Sequence, residues 1–160
     1  MHILRKNISV FLVLLATMAF MGCDSTDSED NGDAARFLGP WTIASVADQG
    51  GQRDQTEIIS SLGTLGLTIN DDQTFGLLLQ YADPDAEDLA LGGTYSLNEG
   101  ASRLTLNVQL EDLPPIALPL NYVFNSDSEV EFTIDAAAAT TLTILLGAEL
   151  EGDVVLVARK

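Results

Sequence analysis

Reactive side chains are scarce in this chain, and their positions remove most kinds of chemistry at once. His2 is the only histidine and Cys23 the only cysteine. His2 lies in a leader that is cut away, and Cys23 is read below as a modified residue. Ser-His-Asp and Cys-His nucleophilic systems are therefore not expected, nor are zinc or haem sites built on imidazole or thiolate. A lysine base would have to be Lys160, the last residue, which is a poor place to desolvate an amine. Carboxylates remain. Glu129 and Glu131 share one strand face, but they alternate with Val130 and Phe132 and so point away from a core. Asp27, Glu29, Asn31 and Gly32 echo a calcium loop, yet Leu38 stands at the twelfth position, where the bidentate glutamate belongs. The acids of Asp83 to Asp88 (DPDAED) have neither a shaping glycine nor ligand periodicity. Gly63 to Gly66 lacks the lysine and spacing of a phosphate cradle. The expectation is a protein with no catalytic residues, no cofactor and no metal.

The leader is the most informative stretch. Arg5 and Lys6 form a charged start, Ile8 to Phe20 is an almost unbroken apolar run, and Gly22-Cys23 closes it, the three-part pattern of an export signal. The thirteen residues of that run are too few to cross a bilayer core of ~30 Å, which takes roughly 20 helical residues. A single cysteine after a small residue at the end of the run resembles the lipobox of bacterial lipoproteins. Phe20 and Met21 depart from the family's usual leucine and small residue. The resemblance implies that residues 1–22 are removed, that Cys23 is lipidated, and that the partner is a membrane reached through that lipid. An unpaired cysteine in an exported protein otherwise needs a reason. Residues 23–36 then read as an acidic flexible tether, because Asp24 to Ala35 (DSTDSEDNGDAA) has no hydrophobic residue larger than alanine. That acidic stretch resembles the sorting signals of some outer-membrane lipoproteins, whereas Asp24 beside the cysteine resembles an inner-membrane retention signal in others. The localisation expected is the bacterial cell envelope, with the outer membrane preferred.

Charge narrows the partners. After Cys23 the chain has 24 acids against five bases, a formal charge of −19. Nucleic acid is disfavoured, since a binder needs a clustered basic face. An anionic membrane is disfavoured as a direct protein contact for the same reason. The sequence names no protein partner.

The remaining 138 residues suit one domain, and with no second cysteine its stability must come from an apolar core. Folded structure is expected from Phe37 to the end. Strands are read at Gly39 to Ala47, Leu67 to Ile69, Phe75 to Tyr81, Gly93 to Leu97, Leu104 to Leu110, Leu118 to Phe124, Val130 to Ile134 and Asp153 to Ala158. Pro119 marks an edge or bulged position. A short helix is read at Thr56 to Leu62, with Asp54 and Glu57 as a box-like start and Gly63 as its stop. After Asp135, the alanines with Leu142, Leu145 and Leu146 argue for a helix ending at Gly147, while Thr140, Thr141, Thr143 and Ile144 leave a strand open for residues 136–147.

Eight short strands separated by turn signals mean a sandwich or a barrel. Gly39-Pro40-Trp41 matches the G-x-W motif of lipocalins, and Arg159 stands where that family places a basic residue that packs across the tryptophan. With the phrases TINDDQTF and GTYSL, the chain resembles small lipocalin-like lipoproteins of Gram-negative bacteria. The resemblance implies an all-β fold, an eight-stranded antiparallel barrel with one or two short helices, closed where Trp41 and Arg159 meet. A barrel of that size holds either its own side chains or one small ligand. If a ligand is held, it is an apolar small molecule such as an acyl chain or isoprenoid, lined by Phe75, Leu77, Leu79, Tyr95, Leu106, Tyr122 and Phe132. Otherwise the barrel is filled and serves as a structural or protein-interaction module.

Overall fold

The computed structural model describes residues 32–110, 114–146 and 149–160. In chain order they form α1 (Asp33–Phe37), β1 (Gly39–Asp48), β2 (Arg53–Asp54), α2 (Thr56–Leu62), β3 (Gly63–Ile69), β4 (Thr74–Tyr81), β5 (Leu89–Asn98), a 3-10 turn (Glu99–Ala101), β6 (Arg103–Gln109), β7 (Ile116–Ser126), β8 (Glu129–Ile134), α3 (Ala136–Leu146) and β9 (Val154–Arg159). Apart from the two-residue β2, which pairs only with β1, each strand is antiparallel to its neighbours in the order β1-β3-β4-β5-β6-β7-β8-β9. The β1–β9 pairing, from Thr42–Arg159 to Ala47–Val155, closes the sheet into an eight-stranded barrel with no free edge.

Strand parity sets the inside. In β6, Leu104, Leu106 and Val108 are buried while their neighbours Arg103, Thr105, Asn107 and Gln109 are not, and β7, β8 and β9 repeat the pattern. These inward rows meet in one continuous core. A β-bulge in β1, between Ile43 and Ser45, lets that strand leave β3 and continue along β9. Glycine is required where β5 lies closest to β6, since a Cβ on Gly93 would sit 2.0 Å from the Asn107 carbonyl oxygen. Pro119 pairs with Thr105 of β6 beyond the last β7–β8 pair, Asn121–Thr133, so it occupies a local edge inside a closed barrel.

The short helices follow from local chemistry. Thr56 to Leu62 is helical as expected, but Asp54 stands one residue outside the start and accepts from the Thr56 N–H at 2.8 Å without forming a capping box. Residues 136–146 are helix, not strand. Asp135 caps the Ala138 N–H at 2.9 Å, and Ala138, Ala139 and Leu142 turn one face inward while the threonines stay outward or half-buried. The domain also starts earlier than Phe37. Residues 33–36, expected in the tether, form α1 because the barrel gives Asp33, Ala34 and Arg36 partners. The expected leader, Cys23 and Gly147 lie outside the described residues.

The barrel has two ends of different make-up. At the α1 end are the β3–β4 turn, the 3-10 turn, the β7–β8 turn and the C-terminus of β9. At the α3 end are β2, α2, the β4–β5 loop and the segment leading into β9.

Candidate functional site: the barrel interior and its closures

At the α1 end an aromatic plug fills the opening. Phe37 is fully buried, with its ring centroid 4.8 Å from Tyr122, 4.7 Å from Phe124 and 6.0 Å from Phe132. Its carbonyl accepts from the Trp41 indole N–H at 2.7 Å, which ties α1 to the first barrel strand. The Tyr122 hydroxyl donates to Asp33 at 2.7 Å. Burial first, and that bond second, hold its phenol above the ordinary value. Arg36 lies 3.9 Å over the Phe124 ring and pairs with Asp127 at 3.3 Å.

The cation over Trp41 is Lys160, not Arg159. Lys160 Nζ lies 4.6 Å from the ring centroid and donates to the Arg36 carbonyl at 2.7 Å. Strand parity explains the exchange. Val154, Leu156 and Ala158 face the core, so Arg159 points outward and pairs with Glu129 at 2.7 Å. The first side chain able to return over the indole is the one that follows. Arg159 still takes part in closure through its backbone, opposite Thr42.

The interior holds an apolar cavity of about 30 Å³. Of the seven residues expected to line a ligand, Phe75, Leu77, Leu106 and Phe132 do line it. Leu79, Tyr95 and Tyr122 do not, although all three share the inward parity of their strands. Leu79 is packed into the core, Tyr122 belongs to the plug, and Tyr95 donates its hydroxyl to the Asn70 carbonyl at 3.0 Å at the rim. Every side chain around the cavity is aliphatic or phenyl, and Leu142 of α3 reaches across the mouth to complete it. Ligand pockets run to roughly 300–1,000 Å³, and an apolar cavity known to take benzene is about 150 Å³. Among the described residues, the barrel's own side chains pack the interior around this small cavity.

At the α3 end a buried carboxylate ties the chain together. Asp48 is fully buried; it accepts from Arg53 Nε at 2.8 Å, from a second Arg53 nitrogen, and from the Glu151 N–H at 3.0 Å. Gln55 lies beside the pair, 4% exposed. The guanidinium bond, followed by the Glu151 amide and Gln55, outweighs desolvation and holds the Asp48 carboxyl at about 2, below its ordinary 3.8. Asp48→Ala should therefore cost about 2–3 kcal/mol in urea unfolding, since it strands the Glu151 amide and half of a guanidinium. Because the folded value is the lower one, this stabilisation is present above about pH 4 and is lost as pH falls towards 2. The acid limb of the stability curve should flatten in the variant.

The loop acids expected to be solvated are partly engaged with backbone. Asp83 accepts from the Asp85 N–H at 3.0 Å and Asp88 from the Tyr81 N–H at 3.2 Å. Among the described residues no group of three or more His, Cys, Asp or Glu side chains is placed to hold a metal ion, and no helix is long and apolar enough to cross a membrane.

The sequence matches no protein-family model and no curated protein. Solved structures do match. The chain is similar to a lipocalin-like protein from Bacteroides uniformis, with a TM-score of 0.51 at 13% identity, covering 78% of this chain and 98% of that one. It is also similar to a redesigned β-barrel, at a TM-score of 0.45 and 9% identity over 79% of this chain and 93% of that one. With the closed strand order, the first of these places the domain in the lipocalin-like fold: an antiparallel eight-stranded barrel with three short helices.

Proposed function

We propose that this chain is an exported lipoprotein, cut before Cys23 and held at the bacterial cell envelope, at the outer membrane, by acyl chains on that residue. Its barrel is a filled, non-catalytic module with a structural or protein-binding role. The observation that supports the module reading is the interior volume, about 30 Å³ bounded only by apolar side chains. Among the described residues no polar group lines the cavity to orient a ligand, and its volume is far below that of a ligand pocket. Anchoring rests on the leader and the lone cysteine, since each buried methylene contributes ~0.8 kcal/mol and two or three chains hold firmly. Membrane fractionation tests it: the wild-type chain should sediment with membranes and Cys23→Ser should move to the soluble fraction. A Cys23→Ser protein that stays with the membrane overturns the anchor.

A second reading, an apolar small-molecule carrier, is favoured by the position of Leu142. One residue of the cavity lining, Leu142, comes from a helix and the rest from the sheet, so lifting α3 would widen the interior for an acyl chain or isoprenoid without opening the barrel.

A further inference from the structure

The ends of the barrel differ sharply in charge. Four of the five bases that follow Cys23, Arg36, Arg103, Arg159 and Lys160, lie at the α1 end with six acids among the described residues. Two of those bases are paired there, Arg36 with Asp33 and Asp127, and Arg159 with Glu129. The α3 end carries eleven acids among the described residues and one base, Arg53. The acids are spread over the β4–β5 loop, Asp135, residues 149–153 and the stretch from Asp48 to Glu57.

The chain leaves the domain at the less acidic end. Gly32 directly precedes α1 and lies beside Glu99 of the 3-10 turn. Eight residues separate it from Cys23, a reach of about 30 Å at full extension. Such a spacer is long enough for the barrel to tip over, so attachment alone does not fix which end meets a surface. Charge does. Within a screening length of an anionic bilayer, the α3 end, one base against eleven acids, is repelled far more than the α1 end, four bases against six acids.

We propose that the α1 end is the face this domain turns towards an anionic lipid surface, and that the α3 end projects away from it. The orientation comes from repulsion of the far end and not from adhesion of the near one. It leaves α3, with Ile144 exposed at 77%, on the outward side where a protein partner would arrive. The proposal rests on Cys23 as the point of attachment, and the test supplies that attachment chemically so that the two can fail separately.

The mature chain, residues 23–160, is coupled through the Cys23 thiol to a maleimide diacyl lipid. It is placed on phosphatidylcholine vesicles with or without phosphatidylserine, and the vesicles carry a headgroup quencher. A fluorescent unnatural amino acid is built in at Ser128, in the exposed β7–β8 turn, or at Ala86, in the exposed β4–β5 loop. On phosphatidylserine vesicles at about 0.01 M salt, where screening extends roughly 30 Å, quenching at Ser128 should exceed that at Ala86 several-fold. The ratio should fall at about 1 M salt, where screening extends roughly 3 Å, and on vesicles without phosphatidylserine. Equal quenching at the two sites, stronger quenching at Ala86, or a ratio indifferent to salt and lipid overturns the proposal. Cys23→Ser fractionation judges native lipidation independently.

Discussion

Phe37→Ala should lower the unfolding free energy by about 3–5 kcal/mol, the range for removing a buried phenyl ring. Against a typical total of roughly 5–15 kcal/mol this is a large share. Phe37 is fully buried and touches Tyr122, Phe124 and Phe132, so its removal leaves a void that three rings on two strands cannot jointly close. It also frees α1, whose five residues cannot hold a helix alone. Denaturant unfolding should show a lower midpoint with little change in slope, and the melting temperature should drop by ~10–20 °C. A loss below ~1 kcal/mol would mean that α1 rests on the barrel without plugging it.

Phe132→Ala should be comparably costly, about 3–5 kcal/mol, and should also create a new property. Phe132 is 1% exposed and stands between the plug and the interior cavity. Removing its ring joins the vacated volume to the existing 30 Å³ without adding a polar atom. An apolar void approaching ~150 Å³ stays dry and takes up benzene or xenon. Calorimetry should show benzene binding to the variant and none to the wild-type chain, and benzene should recover part of the lost stability by mass action. Benzene binding to the wild-type chain would mean that its interior is not filled.

These two positions also show what a sequence can reveal. Period-two alternation from Leu104 to Leu110 marks an inside and an outside, and the structure keeps both. The eight barrel strands and the Thr56 to Leu62 helix were legible for the same reason: one face is buried, and Gly63 follows. Parity gives the side but not the level. Tyr95 and Tyr122 have the inward parity of Leu106 and Phe132, yet their height along the barrel takes them to the rim and the plug. Counting parity through β9 would have turned Arg159 outward and pointed to Lys160.

Other features carry no local signal. Helix α1 is too short to show a period and sits in an acidic run, and its structure comes from contacts 65 to 124 residues away, such as Ala34 with Glu99 and Lys160 with Arg36. The Asp48–Arg53 pair depends on the backbone of Glu151, about a hundred residues further on. Cavity volume is the sum of many side-chain placements, so composition allowed both a pocket and a filled barrel. For residues 136–146 the threonines argued against helix, and tertiary burial of Ala138, Ala139 and Leu142 decided for it.

The central claim is that the barrel is full. Native mass spectrometry of residues 24–160, purified without lipid and mixed with excess long-chain fatty acid, tests it most directly. The account predicts the mass of the bare chain at every fatty-acid concentration. A saturable one-to-one complex would contradict it and establish the interior as a ligand site.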